Sequence, residues 1–129
     1  SEKAEQLFNK LIKIEPSAKA FSNLGLALKD QHKQDEAILA FKRAIELNPG
    51  AIEPYSNLGA LYLGKHDYQQ ATYNLSKALS INPNYESALS NLGVCFMQTG
   101  NYPLAAQTFK QASSQYTLNT RYHQNLFNI

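Results

Sequence analysis

The chain has 129 residues, 43% of them hydrophobic and 17% charged, a composition that suits one folded domain and argues against disorder. A formal charge of +2 supplies no concentrated basic face for nucleic acid or an anionic membrane, and no apolar run approaches the roughly 18 residues of a membrane span. One cysteine, Cys95, excludes an internal disulfide framework and leaves the compartment open. The first residues, Ser1 to Glu5, have neither the basic nor the apolar region of a secretion signal. The segment is therefore expected to be soluble, with the cytoplasm as the default compartment and the periplasm open if a signal segment has been removed.

In chain order, residues 2–15 come first. Ala4, Phe8 and Glu15-Pro16 align at an offset of 33 with Ala37, Phe41 and Asn48-Pro49, which predicts the second helix of a hairpin whose first helix is missing. With no initiating Met, the chain is expected to be a fragment. From Ala18 onward the organisation is periodic. Asn-Leu-Gly stands at Asn23-Leu24-Gly25, Asn57-Leu58-Gly59 and Asn91-Leu92-Gly93, a spacing of 34 both times. Phe21, Tyr55 and Leu89 precede it, and Leu28, Tyr62 and Phe96 follow it. Ala37, Ala71 and Ala105, then Phe41, Leu75 and Phe109, then Ala44, Ala78 and Ala112 keep the same register.

Within the first unit Phe21, Leu24, Gly25 and Leu28 fall at i, i+3, i+4 and i+7, one stripe of a helix, and Ala37, Phe41 and Ala44 repeat that spacing. A polar stretch, Lys29 to Gln34, separates the stripes, and Pro49 closes the second because proline cannot continue a helix. Each unit is thus a helical hairpin whose small residues let its two helices approach, and a lone hairpin could not bury these faces. Units are predicted over residues 18–51, 52–85 and 86–119, with a partial unit at 1–17 and a partial unit or capping helix at 120–129. The third unit has Thr117 where the others have Pro49 and Pro83, so its second helix is expected to run on or end less sharply.

Tyr55, Leu58-Gly59, Tyr62, Ala71, Ala78 and Pro83 resemble the tetratricopeptide-repeat signature, a 34-residue helix–turn–helix with aromatic, Leu-Gly, Ala and Pro at set offsets. The resemblance covers Ala18 to about Asn119, with Leu89 in place of the leading aromatic in the third unit. It implies an all-α fold, a right-handed superhelical solenoid of antiparallel helix hairpins, with first helices on the concave side and second helices on the convex side.

If Phe21, Leu24, Gly25 and Leu28 are buried, Lys19, Ser22, Asn23, Leu26 and Asp30 lie opposite them. Glu53, Ser56, Asn57, Ala60 and Gly64 match in the second unit, and Ser87, Ser90, Asn91, Val94 and Gln98 in the third; Arg121, Gln124, Asn125 and Asn128 extend the stripe. The candidate binding set is Asn23, Asn57, Asn91 and Asn125, flanked by Ser22, Ser56 and Ser90, with Leu26, Ala60 and Val94 as apolar floor and Lys19 as a nearby cation. Leu63 and Met97 are further floor candidates. A side-chain amide both donates and accepts, so a row of them can satisfy the backbone of an extended peptide. The row looks like the asparagine ladder of the O-linked N-acetylglucosamine transferase superhelix. An alternative stays open: the asparagines could instead hydrogen-bond locally between neighbouring units. The sequence departs from the carboxylate clamp of chaperone cofactors, because Ser22, Ser56, Leu26 and Ala60 stand where that clamp needs cations and a further Asn.

Other motifs carry no chemistry. Gly59 to His66 imitates a phosphate-binding loop, but His66 replaces the Ser or Thr that would bind magnesium and no strand precedes it. His32 and His66 share one place in consecutive hairpin turns, His123 is remote, and no metal site is expected. Cys95 sits among Val94, Phe96 and Met97 as a small core residue. Asn74-Leu75-Ser76 matches a glycosylation acceptor inside a packed helix. No enzyme activity and no cofactor are expected. The reading is a protein-interaction scaffold for a peptide or protein segment, without nucleic-acid binding or membrane insertion. Two alternatives remain: a targeting or regulatory arm of a larger enzyme, or a self-associating structural subunit such as one of a bacterial secretion or pilus-assembly complex. RNA reading is disfavoured, since base-reading helical repeats have a period of about 35 and a cationic groove.

Overall fold

The apolar stripes and their punctuation set the architecture directly. A computed structural model describes the backbone of residues 2–14 and 17–127, and the side chains of residues 2–10 and 17–114. Among the described residues it contains α1 (Glu2–Ile14), α2 (Ala18–Asp30), α3 (Gln34–Leu47), α4 (Ile52–Gly64), α5 (Tyr68–Ile81), α6 (Glu86–Gln98) and α7 (Tyr102–Phe127), and no strand. The fold is all-α, as the periodicity predicts. Within units α2 packs on α3, α4 on α5 and α6 on α7; between units α1 meets α2, α3 meets α4, α5 meets α6, and α4 also touches α6.

Helix ends follow side-chain chemistry. Ser17 Oγ accepts the Ala20 N–H at 3.1 Å to start α2, and Asp67 Oδ1 accepts the Gln70 N–H at 3.2 Å to start α5. Pro54 and Pro103 fall in the first turns of α4 and α7, where their missing N–H has no intrahelical partner to lose. Asn48 and Asn82 cap the C-termini of α3 and α5. Their Oδ1 atoms accept the N–H groups of Gly50 and Asn84, at 3.1 and 3.0 Å, folding the Asn-Pro loops into side-chain-bonded turns. With Thr117 in place of such a proline, α7 continues without a turn across the division between Asn119 and Thr120 expected from the period, reaching Phe127.

The three hairpin turns share one backbone solution. His32, His66 and Gly100, spaced by one unit, have φ of 61°, 62° and 84°. The next residues, Lys33, Asp67 and Asn101, donate their N–H back to the carbonyls of Leu28, Tyr62 and Phe96 at 2.9, 2.9 and 2.8 Å. This is the Schellman closure, which needs the left-handed conformation and favours glycine. The two histidines therefore occupy a strained position, a reason for their shared register that composition alone does not show.

Phe41 and Leu75 are fully buried, each covered by its own first helix and by the next unit. An added Cβ at Gly25 would lie 2.6 Å from Phe41 Cε1, one at Gly93 2.6 Å from Phe109 Cε1, and one at Gly59 would penetrate the Leu75 side chain. Phe109, in the last described unit, is only half-buried. Two ion pairs link turn regions: Lys33 Nζ to Glu5 Oε2 at 3.2 Å ties α1 to the first hairpin, and Lys65 Nζ to Asp35 Oδ1 joins the first two hairpins. The Glu5 hydrogen bond raises the Lys33 ammonium above its ordinary value, so the lysine's share of this tie weakens as pH climbs through that raised value.

Two contrasts test these packing arguments in urea melts. Gly59→Ala gains about 1 kcal/mol of helix propensity but loses roughly 1–3 kcal/mol to overpacking against Leu75, for a net destabilisation. Gly64→Ala, whose Cβ would meet nothing within 4 Å, keeps the propensity gain, up to about 1 kcal/mol, and stabilises. In the turns, His32→Gly raises stability by about 0.5–1 kcal/mol, and Gly100→Ala lowers it by about 1 kcal/mol. Equal midpoints for Gly59→Ala and Gly64→Ala would remove the close-approach argument.

Candidate peptide-binding groove

The candidate set is carried by α2, α4 and α6, whose opposite faces hold Leu24, Leu28, Leu58, Leu61, Tyr62 and Leu92 in the core. Lys19, Ser22, Asn23 and Leu26 of α2, with Glu53 and Asn57 of α4, line one concavity of about 360 Å³. The loop between the first two units adds Asn48 and Ala51. Those two were not in the sequence-derived set; the Asn-Pro that closes the first two whole units, at Asn48-Pro49 and Asn82-Pro83, was the signal that could have placed them. Leu26 is 42% exposed, so the floor offers apolar contact to whatever occupies it. Lys19 and Glu53 line the same concavity, yet neither forms an ion pair with a described residue.

The stripe is not uniform along its length. Ser56, expected in the groove, is buried instead, with its Oγ 3.4 Å from Ser87 Oγ. The reason is the direct packing of α4 on α6, which closes the space that remains open between α2 and α4. Ser90 lines a separate depression of about 290 Å³ with Glu86, Phe109, Ala112 and Ser113, between α6 and α7. Ala60, Asn91 and Val94 are half-buried on α4 and α6, and Met97 is exposed. Asn125 lies in α7, and its side chain falls outside the described residues, as do those of Arg121 and Gln124.

The asparagines divide into two kinds. Asn74 is buried in α5 and donates through Nδ2 to the Gln70 carbonyl at 2.9 Å, while Asn48 and Asn82 accept from their own loops. Asn23, Asn57 and Asn91 are half-buried, and none of their amides bonds to a described residue. Among the described residues, Asn23, Asn57 and Asn91 make no hydrogen bond between units. Each amide keeps its full donor and acceptor capacity.

The rejected motifs fall where packing explains them. Gly59, Leu61 and Tyr62 of the phosphate-loop lookalike are core residues of α4, and the Asn74 amide is bonded inside α5. Cys95 is fully buried, and burial pushes its thiol upward against a smaller opposing hydrogen bond with Thr72.

Tetratricopeptide-repeat family profiles match residues 18–50, 40–73 and 62–126. The chain belongs to the tetratricopeptide-repeat family. Solved structures share the arrangement. A crystal structure of MamA protein aligns with a TM-score of 0.84 at 27% identity, covering 94% of this chain and 67% of that one. A second MamA crystal structure gives 0.86 at 27% identity, covering 92% and 70% respectively. A comparison with curated protein sequences gave no match. A tetratricopeptide-repeat chain of this kind is a protein-interaction scaffold, and its partners are proteins.

The raised and buried thiol gives a direct probe of native packing. Cys95 is expected to resist a thiol-exchange reagent at neutral pH in the folded chain and to react at the rate of a free thiol in urea. Fast stoichiometric reaction under native conditions would show that α6 opens at Cys95 without global unfolding.

Proposed function

We propose that this tetratricopeptide-repeat chain holds an extended segment of a partner protein along its first helices. The observation that carries the reading is the row of three half-buried amides, Asn23, Asn57 and Asn91, each without a hydrogen bond to a described residue. An extended or polyproline-type chain advances about 3.1–3.4 Å per residue, so amides on successive first helices meet residues several positions apart on the ligand. Each amide donates to a peptide carbonyl and accepts from a peptide N–H. Affinity comes from the backbone, and side chains lodge on Leu26 and between Lys19 and Glu53.

The opposed charges of Lys19 and Glu53 fit a zwitterionic or neutral segment better than a terminal carboxylate, for which one cation is too few. No step of chemistry is assigned to the groove: it positions a ligand and leaves it unchanged.

The test compares affinity capture by the wild-type chain and by Asn57→Ala/Asn91→Ala, after circular dichroism establishes equal helicity. Two lost amides, at about 0.5–1.5 kcal/mol each, weaken a specific partner roughly 5- to 150-fold, which mass spectrometry reads as depletion of that partner. If both proteins retain the same partners at the same strength, the amides do not bind, and the groove reading fails.

A further inference from the structure

The second helices carry a cleft that the groove does not involve. It lies between α3 and α5, is floored by Tyr55 and Leu58 of α4, and has a volume of about 360 Å³. Lys42 from α3 and Lys77 from α5 line it, with Ile45 and Tyr73 adding apolar surface. Tyr73 is 58% exposed, high for so large an aromatic ring. Neither lysine pairs with a carboxylate among the described residues. Lys77 Nζ instead sits 5.6 Å from the centre of the Tyr73 ring, and Lys42 Nζ 5.9 Å from that of Tyr62. The acidic residue of the cleft, Glu46, bonds Arg43 at 2.7 Å and neither lysine. What remains is two unpaired ammonium groups beside an aromatic and aliphatic floor.

We infer that this cleft is a second docking site, for a segment of a partner protein that carries an acidic side chain next to an apolar or aromatic one. Charge complementarity selects the acidic group, which gains two ammonium partners whose present contacts are only ring faces. The volume accommodates a few side chains, and the Ile45, Tyr55 and Tyr73 surfaces offer apolar area to remove from water. A nucleic acid fits less well, because the cations do not continue as a stripe: one unit after Lys42 stands Ser76, and one unit after Lys77 stands Gln111. The two faces thus differ in what they read, backbone on the first helices and an acidic side chain on the second. The inference does not depend on the groove.

The experiment is a titration of the whole isotope-labelled chain, followed by backbone amide NMR shifts, with acetyl-Glu-Phe-Glu-Leu-amide and with its Gln-Phe-Gln-Leu counterpart. The acidic peptide is expected to move the amides of Lys42, Ile45, Tyr55, Tyr73 and Lys77. Binding weakens roughly tenfold for the glutamine peptide and for Lys42→Glu/Lys77→Glu, falls with added salt, and is unchanged in Asn57→Ala/Asn91→Ala. Both lysines are exposed, and Lys42→Gln/Lys77→Gln gives the same loss without reversing charge. The inference is overturned by equal binding of the two peptides, by shifts confined to α2 and α4, or by no saturable shift at millimolar peptide. Tighter binding of a uridine oligonucleotide at these same amides would also overturn it, in favour of RNA.

Discussion

Close approach between the paired helices of each unit is the constraint on which the rest of the structure depends. Phe41 against Gly25, Leu75 against Gly59 and Phe109 against Gly93 leave no room for a Cβ on the first helix. The large side chain then spans from its own hairpin toward the next one, so the same contact that closes a unit also supplies the surface on which its neighbour stacks. Burial of Phe41 and Leu75 is complete where a following unit covers them, and Phe109 remains half-buried. Because every unit repeats the contact at the same register, all first helices face one way and all second helices the other.

That segregation gives the chain two surfaces of different chemistry. The first helices carry amides, small hydroxyls and scattered apolar residues, with Lys19 and Glu53 balancing each other in the open concavity between α2 and α4. The second helices carry the cleft of Lys42, Lys77 and Tyr73, where positive charge is not matched by a free carboxylate. A scaffold can use the first surface for a ligand of loosely specified sequence and the second for one of specified charge.

Individual positions show how far the sequence could be read. Asn23, Asn57 and Leu26 could be placed on one helix face because helical spacing is a local property, and the structure brings them to one concavity. Ser56 has the same spacing and a different fate: it is buried against Ser87 because α4 and α6 touch directly, a fact about the distance between helices that no single-helix pattern contains. Asn48 and Ala51 joined the concavity from a loop, outside any helical stripe. The sequence puts His32 and His66 at one place in consecutive hairpin turns, and the backbone shows them in the left-handed conformation that glycine fills in the third turn. The cleft on the second helices had no sequence signal, since Lys42, Tyr55 and Lys77 lie in three helices and meet only after two hairpins stack.

What the sequence determined by itself was the repeat: its period, the two helices in each unit, their starts and stops, and which face of each is apolar. Those are consequences of φ/ψ restriction, capping and helical periodicity acting within a few residues. Only the tertiary structure decided the spacing between successive first helices, open at α2 and α4 and closed at α4 and α6, and with it which polar residues keep their hydrogen-bonding capacity. Packing distances are set by side chains from separate units meeting at once, so they are a property of the stack and of no single segment in it.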